Sequence, residues 1–311
     1  MNQPQSAVGQ CLDVQTFINA QPISRYQWRV VILCFLIVFL DGLDTAAMGF
    51  IAPALSQDWG IDRASLGPVM SAALIGMVFG ALGSGPLADR FGRKVVLVGA
   101  VILFGAFSLA SAYSTNVEQL LVLRFLTGLG LGAGMPNATT LLSEYTPERK
   151  KSLLVTSMFC GFNLGMAGGG FISAKLIPAF GWHSLLLIGG ILPLILAVVL
   201  LFWLPESARY LVVRNRGTDK VRKTLAPIDP VTVAQASSFS VPEQKTVKAR
   251  NVFAVIFSGT YSTGTLLLWL TYFMGLVIVY LLTSWLPTLM RDSGASMEQA
   301  AFIGALFQFG G

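Results

Sequence analysis

Seven apolar runs, near residues 30–52, 66–88, 95–113, 119–142, 152–174, 184–204 and 263–286, constrain this chain more than any other feature. Each is close to the roughly 20 residues that carry a helix across a hydrocarbon core about 30 Å thick. In lipid no water satisfies a backbone N–H or C=O, so a spanning segment is a helix or part of a closed barrel, and runs of this length are the helical solution. The predicted fold is an all-α polytopic membrane protein. An eighth run begins at about Met297 and stops at Gly311 after fifteen residues, short of a span, and the chain therefore reads as a fragment.

Composition agrees. Charged residues make up 12% of the 311 and the hydrophobic set 54%, against roughly 25% charged in soluble domains. The net charge of +6 does not imply nucleic acid, because the basic residues sit in short loops between apolar runs. Seventeen of the 21 Lys and Arg fall in the leader, in the second-to-third and fourth-to-fifth connections, and in a long central loop. The opposite loops hold only Arg63, Lys175 and Arg291. The positive-inside rule then puts the leader and the central loop in the cytoplasm, with no cleaved signal peptide. Expected divisions are a leader, 1–27; a six-helix bundle, 28–204; a central loop, 205–262; and the start of a second bundle, 263–311. A faint echo of Phe50-Ile51-Ala52-Pro53 in Ser284-Trp285-Leu286-Pro287 fits a parallel repeat of the two halves.

Inside the first run stand Asp41 and Asp44, with Gly42 between them. A carboxylate at that depth costs several kcal/mol unless it meets protein, water or a proton. The i,i+3 spacing predicts both acids on one face of the helix. Arg124, the one basic residue within a run, lies at a comparable depth on the fourth, so Asp41 or Asp44 should come within reach of it. Its planar fork suits a carboxylate from protein or ligand; a purely structural ion pair is the alternative. Asn137 and Asn163 are candidate polar lining groups, and Tyr272 and Tyr280 a candidate aromatic wall, with helix packing as the competing role. Gly161, Gly165 and Gly168 to Gly170 read as close helix contact. Cys11, Cys34 and Cys160 lie far apart and read as packing residues, and His183 beside Trp182 as an interface residue. No metal cluster, nucleophile or phosphate loop is present, so neither an enzyme nor a cofactor is expected.

Between the second and third runs, Gly85-Pro86-Leu87-Ala88-Asp89-Arg90-Phe91-Gly92-Arg93-Lys94 matches the pattern G-x-L-x-D-R-x-G-R-K throughout. With Arg124 followed by Gly128, Gly130, Gly132 and Gly134, and with Pro205-Glu206-Ser207-Ala208-Arg209, the chain resembles the major facilitator superfamily of secondary transporters. Asp41-Gly42-Leu43-Asp44 further resembles the first-helix element of its aromatic acid:proton symporters. The resemblance implies a twelve-helix fold of which the N-terminal half is complete and helix 7 and part of helix 8 are begun. It implies a monomer of the bacterial inner membrane that couples protons to uptake of hydroxylated aromatic carboxylates such as 4-hydroxybenzoate and protocatechuate. Asp41, Asp44 and Arg124 would then carry proton and substrate coupling, Arg124 changing partners as a proton binds one of the acids. Gly85 and Gly92 are expected at tight turns of a gating loop, with Asp89, Arg93, Glu144 and Arg149 forming the ion pairs that hold that gate. A sugar or other organic-anion porter of the superfamily, and a non-transporting sensor of aromatic acids, are the other readings.

Overall fold

The computed structural model describes residues 10–62, 65–241 and 262–310. Leader residues 1–9, Arg63, the loop stretch 242–261 with Lys245, Lys248 and Arg250, and Gly311 lie outside the described residues.

Seven described helices are long and apolar enough to cross a membrane: α2 (Arg25–Trp59), α3 (Leu66–Phe91), α4 (Arg93–Ser111), α5 (Val117–Tyr145), α6 (Glu148–Phe180), α7 (His183–Trp203) and α11 (Ser262–Asp292). A shorter α12 (Met297–Gly310) follows. Local chemistry starts and stops them. Ser24 and Gln27 form a reciprocal capping box at the head of α2, and Gly60, at φ +62°, ends it in the left-handed conformation. Asn116 caps α5 by accepting from the Gln119 amide at 2.8 Å.

Several helices outrun their apolar runs, and two do so through a proline. Pro53, expected as the outer boundary of the first span, lies inside α2, which continues to Trp59. Gly85 and Pro86 lie inside α3, which continues to Phe91. Gly85 is therefore helical rather than at a turn, a correction to the expected gating loop; the break falls at Gly92 alone, where φ is +105°.

Within the six-helix unit, α2 packs on α6, α3 on α5, and α4 on both α5 and α7. Glycines set the closest approaches. Gly128 and Gly132 of α5 lie against the backbone of Ala73 and Met77 of α3, and Gly76 of α3 returns the contact at Phe125. A methyl added at Gly132 would strike the Met77 carbonyl. Gly165 of α6 lies likewise against the Phe39 carbonyl of α2. The glycine series after Arg124 is thus a helix-packing device on two sides, since Gly130 faces Ala100 and Phe104 of α4.

At one end the chain adds a small folded unit. Strand β1 (Gln10–Asp13) pairs in parallel with β2 (Ala236–Ser240). Around them lie α1 (Val14–Ala20), α8 (Ala208–Val213), α9 (Thr218–Leu225) and α10 (Pro230–Gln235). Val14, Phe17 and Ile18 of the leader share one core with Leu211, Val221, Leu225 and Val233 of the central loop. At the opposite end Trp182 donates to Asp58 at 3.0 Å and His183 stacks on the Trp182 ring at 3.7 Å between centroids. Of the three cysteines expected to pack, only Cys34 is buried; Cys11 and Cys160 are exposed.

Candidate functional site

The two acids of α2 divide between different surroundings. Asp44 turns into the six-helix unit, where its Oδ2 lies 3.2 Å from Arg124 Nη1 of α5, with both side chains at most 2% exposed. The Ser108 hydroxyl of α4 donates to Asp44 Oδ1, and Arg124 Nε donates to Ser111 Oγ at 3.3 Å. Gly189 of α7 leaves room beside the carboxylate; a Cβ there would sit 3.4 Å from Asp44 Oδ1. Four helices therefore meet at one ion pair, and Arg124 Nη2 is buried with no hydrogen-bond partner.

Asp41, 1% exposed, sits one turn nearer the leader. Its Oδ1 accepts from Thr45 Oγ1 at 3.3 Å, while Oδ2 is buried with no hydrogen-bond partner. α11 packs on α2 as well, with Thr283 O lying against Gly49 two turns beyond Asp41. Of the expected pairings with Arg124, the structure makes the one to Asp44. The i,i+3 spacing did not keep the two acids together, because such a pair differs by about 60° around the axis, enough to give Arg124 to Asp44 and leave Asp41 outside that pairing.

The candidate lining residues scatter. Asn137 is buried, and its Nδ2 donates to Ala133 O of its own helix at 2.8 Å. Asn163 is half-buried on α6, next to Phe162, whose backbone carbonyl meets Gly42 of α2. Tyr280 is half-buried, whereas Tyr272 is 66% exposed.

At the leader end, Arg93 pairs with Asp89 at 3.2 Å and with Glu144 at 3.7 Å. Arg149, expected in this network, instead donates to the Gln21 carbonyl of the leader at 2.9 Å. Gly85 meets nothing here: a Cβ added to it would have no neighbour within 4 Å. A residue without an assigned role takes their place. Glu206 Oε1 accepts from the backbone amides of Arg93 at 2.9 Å, Lys94 at 3.2 Å and Ser207 at 2.8 Å, a carboxylate on the first turn of α4. Tyr210 donates to Arg90 O at 3.0 Å and Arg214 to Asp89 O at 2.9 Å. The signal was present in Pro205-Glu206-Ser207, where an acid beside a proline follows a span directly. Among the described residues there is no group of side chains that could hold a metal ion.

Long apolar helices around a buried carboxylate-guanidinium pair, with a second buried acid that leaves one oxygen without a hydrogen-bond partner and a charged lattice at one end, define a polytopic membrane transporter. The family model described as Major Facilitator Superfamily matches residues 34–311, and the chain belongs to that family. It is 88% identical over 311 residues to the 4-hydroxybenzoate transporter PcaK of Pseudomonas putida, covering 100% of this chain and 69% of that protein. It is 86% identical to the protein of the same name from Pseudomonas aeruginosa, with the same coverage, and 53% identical to the gallate transporter of Pseudomonas putida over 96% of this chain and 66% of that one. The chain thus spans about two thirds of the length of these relatives. The partially occluded, inward-open xylose transporter XylE from E. coli superposes with a TM-score of 0.70 at 20% identity, over 91% of this chain and 71% of that one, a likeness of fold.

Proposed function

We propose that the protein is a secondary active transporter of the bacterial inner membrane that takes up hydroxylated aromatic carboxylates, such as 4-hydroxybenzoate and protocatechuate, together with protons. The identity of 88% along the whole chain to a 4-hydroxybenzoate transporter supports the substrate class. The observation that carries the coupling is Asp41, whose buried Oδ2 has no hydrogen-bond partner. An oxygen left bare at this depth is the atom a proton would fill, since burying an unpaired charge in an apolar medium is costly.

Proton uptake on Asp41 would neutralise its buried carboxylate, and its release would restore the charge. The equilibrium between two packings of α11 on α2 then follows the protonation state. Asp44 and Arg124 serve as the fixed half of the device: their mutual neutralisation leaves one guanidinium N–H group free for an anionic partner. Asp89, Arg93 and Glu144, with Glu206, tie α3, α4, α5 and the central loop together at the leader end, the end that the basic residues put in the cytoplasm. The protein works as a monomer, and its family acts in transport rather than catalysis. A sugar substrate lacks support, because the xylose transporters match at 20% identity or less.

The test is accumulation of radiolabelled 4-hydroxybenzoate in cells with and without a proton uncoupler. Uptake should be uncoupler-sensitive in the wild type and at least about a hundredfold weaker in Asp41→Asn, the loss of about 2.7 kcal/mol at 1.36 per decade. Full uncoupler-sensitive accumulation by Asp41→Asn would show that the proton binds elsewhere.

A further inference from the structure

Polar groups buried in α11 and α12 have no role so far. On α12, Gln308 is 5% exposed, and its Nε2 donates to Thr283 Oγ1 of α11, also 5% exposed, at 2.6 Å. Among the described residues Thr283 is the one hydrogen-bond partner of that amide. A polar pair held out of water at this depth is an expense that helix packing alone does not require.

Packing sets the depth of the pair. A Cβ on Gly304 of α12 would lie 2.8 Å from the Phe50 ring of α2, and one on Gly170 of α6 2.6 Å from Ala305. At the next position of α2, a Cβ on Gly49 would lie 2.6 Å from Thr283 O. Gln308 is one turn beyond Gly304, about 6 Å along the axis. The same step along α2 from Phe50, toward the leader, reaches Ala46 and Thr45, and Thr45 is the residue bonded to Asp41. Tyr280 lies one turn before Thr283 on α11. Thr45, Tyr280, Thr283 and Gln308 therefore lie within about a turn of one another where α2, α11 and α12 converge, with Asp41 a further turn toward the leader.

We propose that Gln308 and Thr283 hold the ring hydroxyl of the aromatic acid and so set the preference for hydroxylated over unsubstituted benzoates. This deepens the transport reading and rests on it. The chemistry is complementary: the Gln308 carbonyl accepts and the Thr283 hydroxyl donates, and a phenol both donates and accepts. Charge decides which end of the substrate comes here. The unpaired Nη2 of Arg124 draws the substrate carboxylate, which leaves the phenol for this end. A site that hydrogen-bonds a hydroxyl rejects the analogue without it, because its own polar groups are then left unpaired.

The experiment measures equilibrium binding of 4-hydroxybenzoate and of benzoate to the purified full chain in wild type, Gln308→Leu, Thr283→Val and Thr283→Ser. Wild type should prefer 4-hydroxybenzoate. Gln308→Leu and Thr283→Val should each lower that preference by about tenfold or more, the scale of one lost hydrogen bond to a neutral group. Thr283→Ser, which keeps the hydroxyl, should retain it to within about threefold. An unchanged preference in Thr283→Val or Gln308→Leu overturns the assignment, and so does equal weakening of both acids. A wild type that binds neither acid counts against the transport reading on which the assignment rests, an outcome separate from a wild type that binds both without preference, which overturns the assignment alone.

Discussion

Arg124 and Asp44 are each other's compensation. Both side chains are at most 2% exposed, so removing either strands a charge among four helices. Arg124→Leu should destabilise the folded protein by about 3–5 kcal/mol, while Asp44→Leu combined with Arg124→Leu should recover most of that loss, because a buried pair is worth little against apolar side chains of similar volume. Thermal unfolding in detergent of the two single variants and the double variant reads the difference; a double variant no better than the singles would mean that Ser108 and Ser111 hold the site through other contacts. Ser108→Ala is the smaller test. Losing its donor to Asp44 should cost about 1–3 kcal/mol, the penalty of an acceptor left short of a partner.

At the scale of elements, glycine has two different meanings in this chain. Gly132 marks a backbone contact between α5 and α3, so Gly132→Val should fail to pack and shift the melting temperature down by several degrees or abolish folding. Gly85, in a motif often read as a turn, is an ordinary helical position with open space around it. Gly85→Ala should therefore leave the fold intact and stabilise α3 by about 0.5–1 kcal/mol. If Gly85→Ala melted lower than wild type, the position would have a contact that the helix does not show. The helices themselves were legible in the apolar runs, because a span must be about 20 residues whatever it packs against. Their ends were less so. Pro53 looked like a stop, yet it sits in a helix whose neighbours and flanking turns keep the interruption local.

For the whole molecule, the leader and the central loop act as one unit strapped across the ends of the bundle. Gln21 Nε2 donates to Asp229 Oδ2 at 2.9 Å, Glu148 N to Asn19 Oδ1 at 2.9 Å, and Gln27 Nε2 to Tyr145 O at 2.8 Å. The Thr232 hydroxyl, its backbone amide and further donors hold the Asp229 carboxyl below its usual range. A depressed carboxyl contributes stability above its unfolded value and loses it as pH falls through the folded one, so the strap should loosen below about pH 4 and be unaffected between pH 5 and 8. Hydrogen exchange of residues 14–24 should rise across that acid range in wild type, and Asp229→Asn should flatten the rise. An equal acid response in Asp229→Asn would assign it to other carboxylates.

By itself the amino-acid order determined that this chain crosses a membrane repeatedly, that acids and an arginine stand at depth within it, and that its motifs resemble those of the superfamily to which it belongs. Those features depend on length, polarity and spacing, which are local. Only tertiary structure decided which acid meets Arg124, that Arg149 holds the leader rather than Asp89, that Glu206 caps α4, and that Gln308 reaches Thr283. Each of these joins residues at least 25 positions apart. The partner is then chosen by the rotation of one helix against another, and no spacing along the chain records that angle.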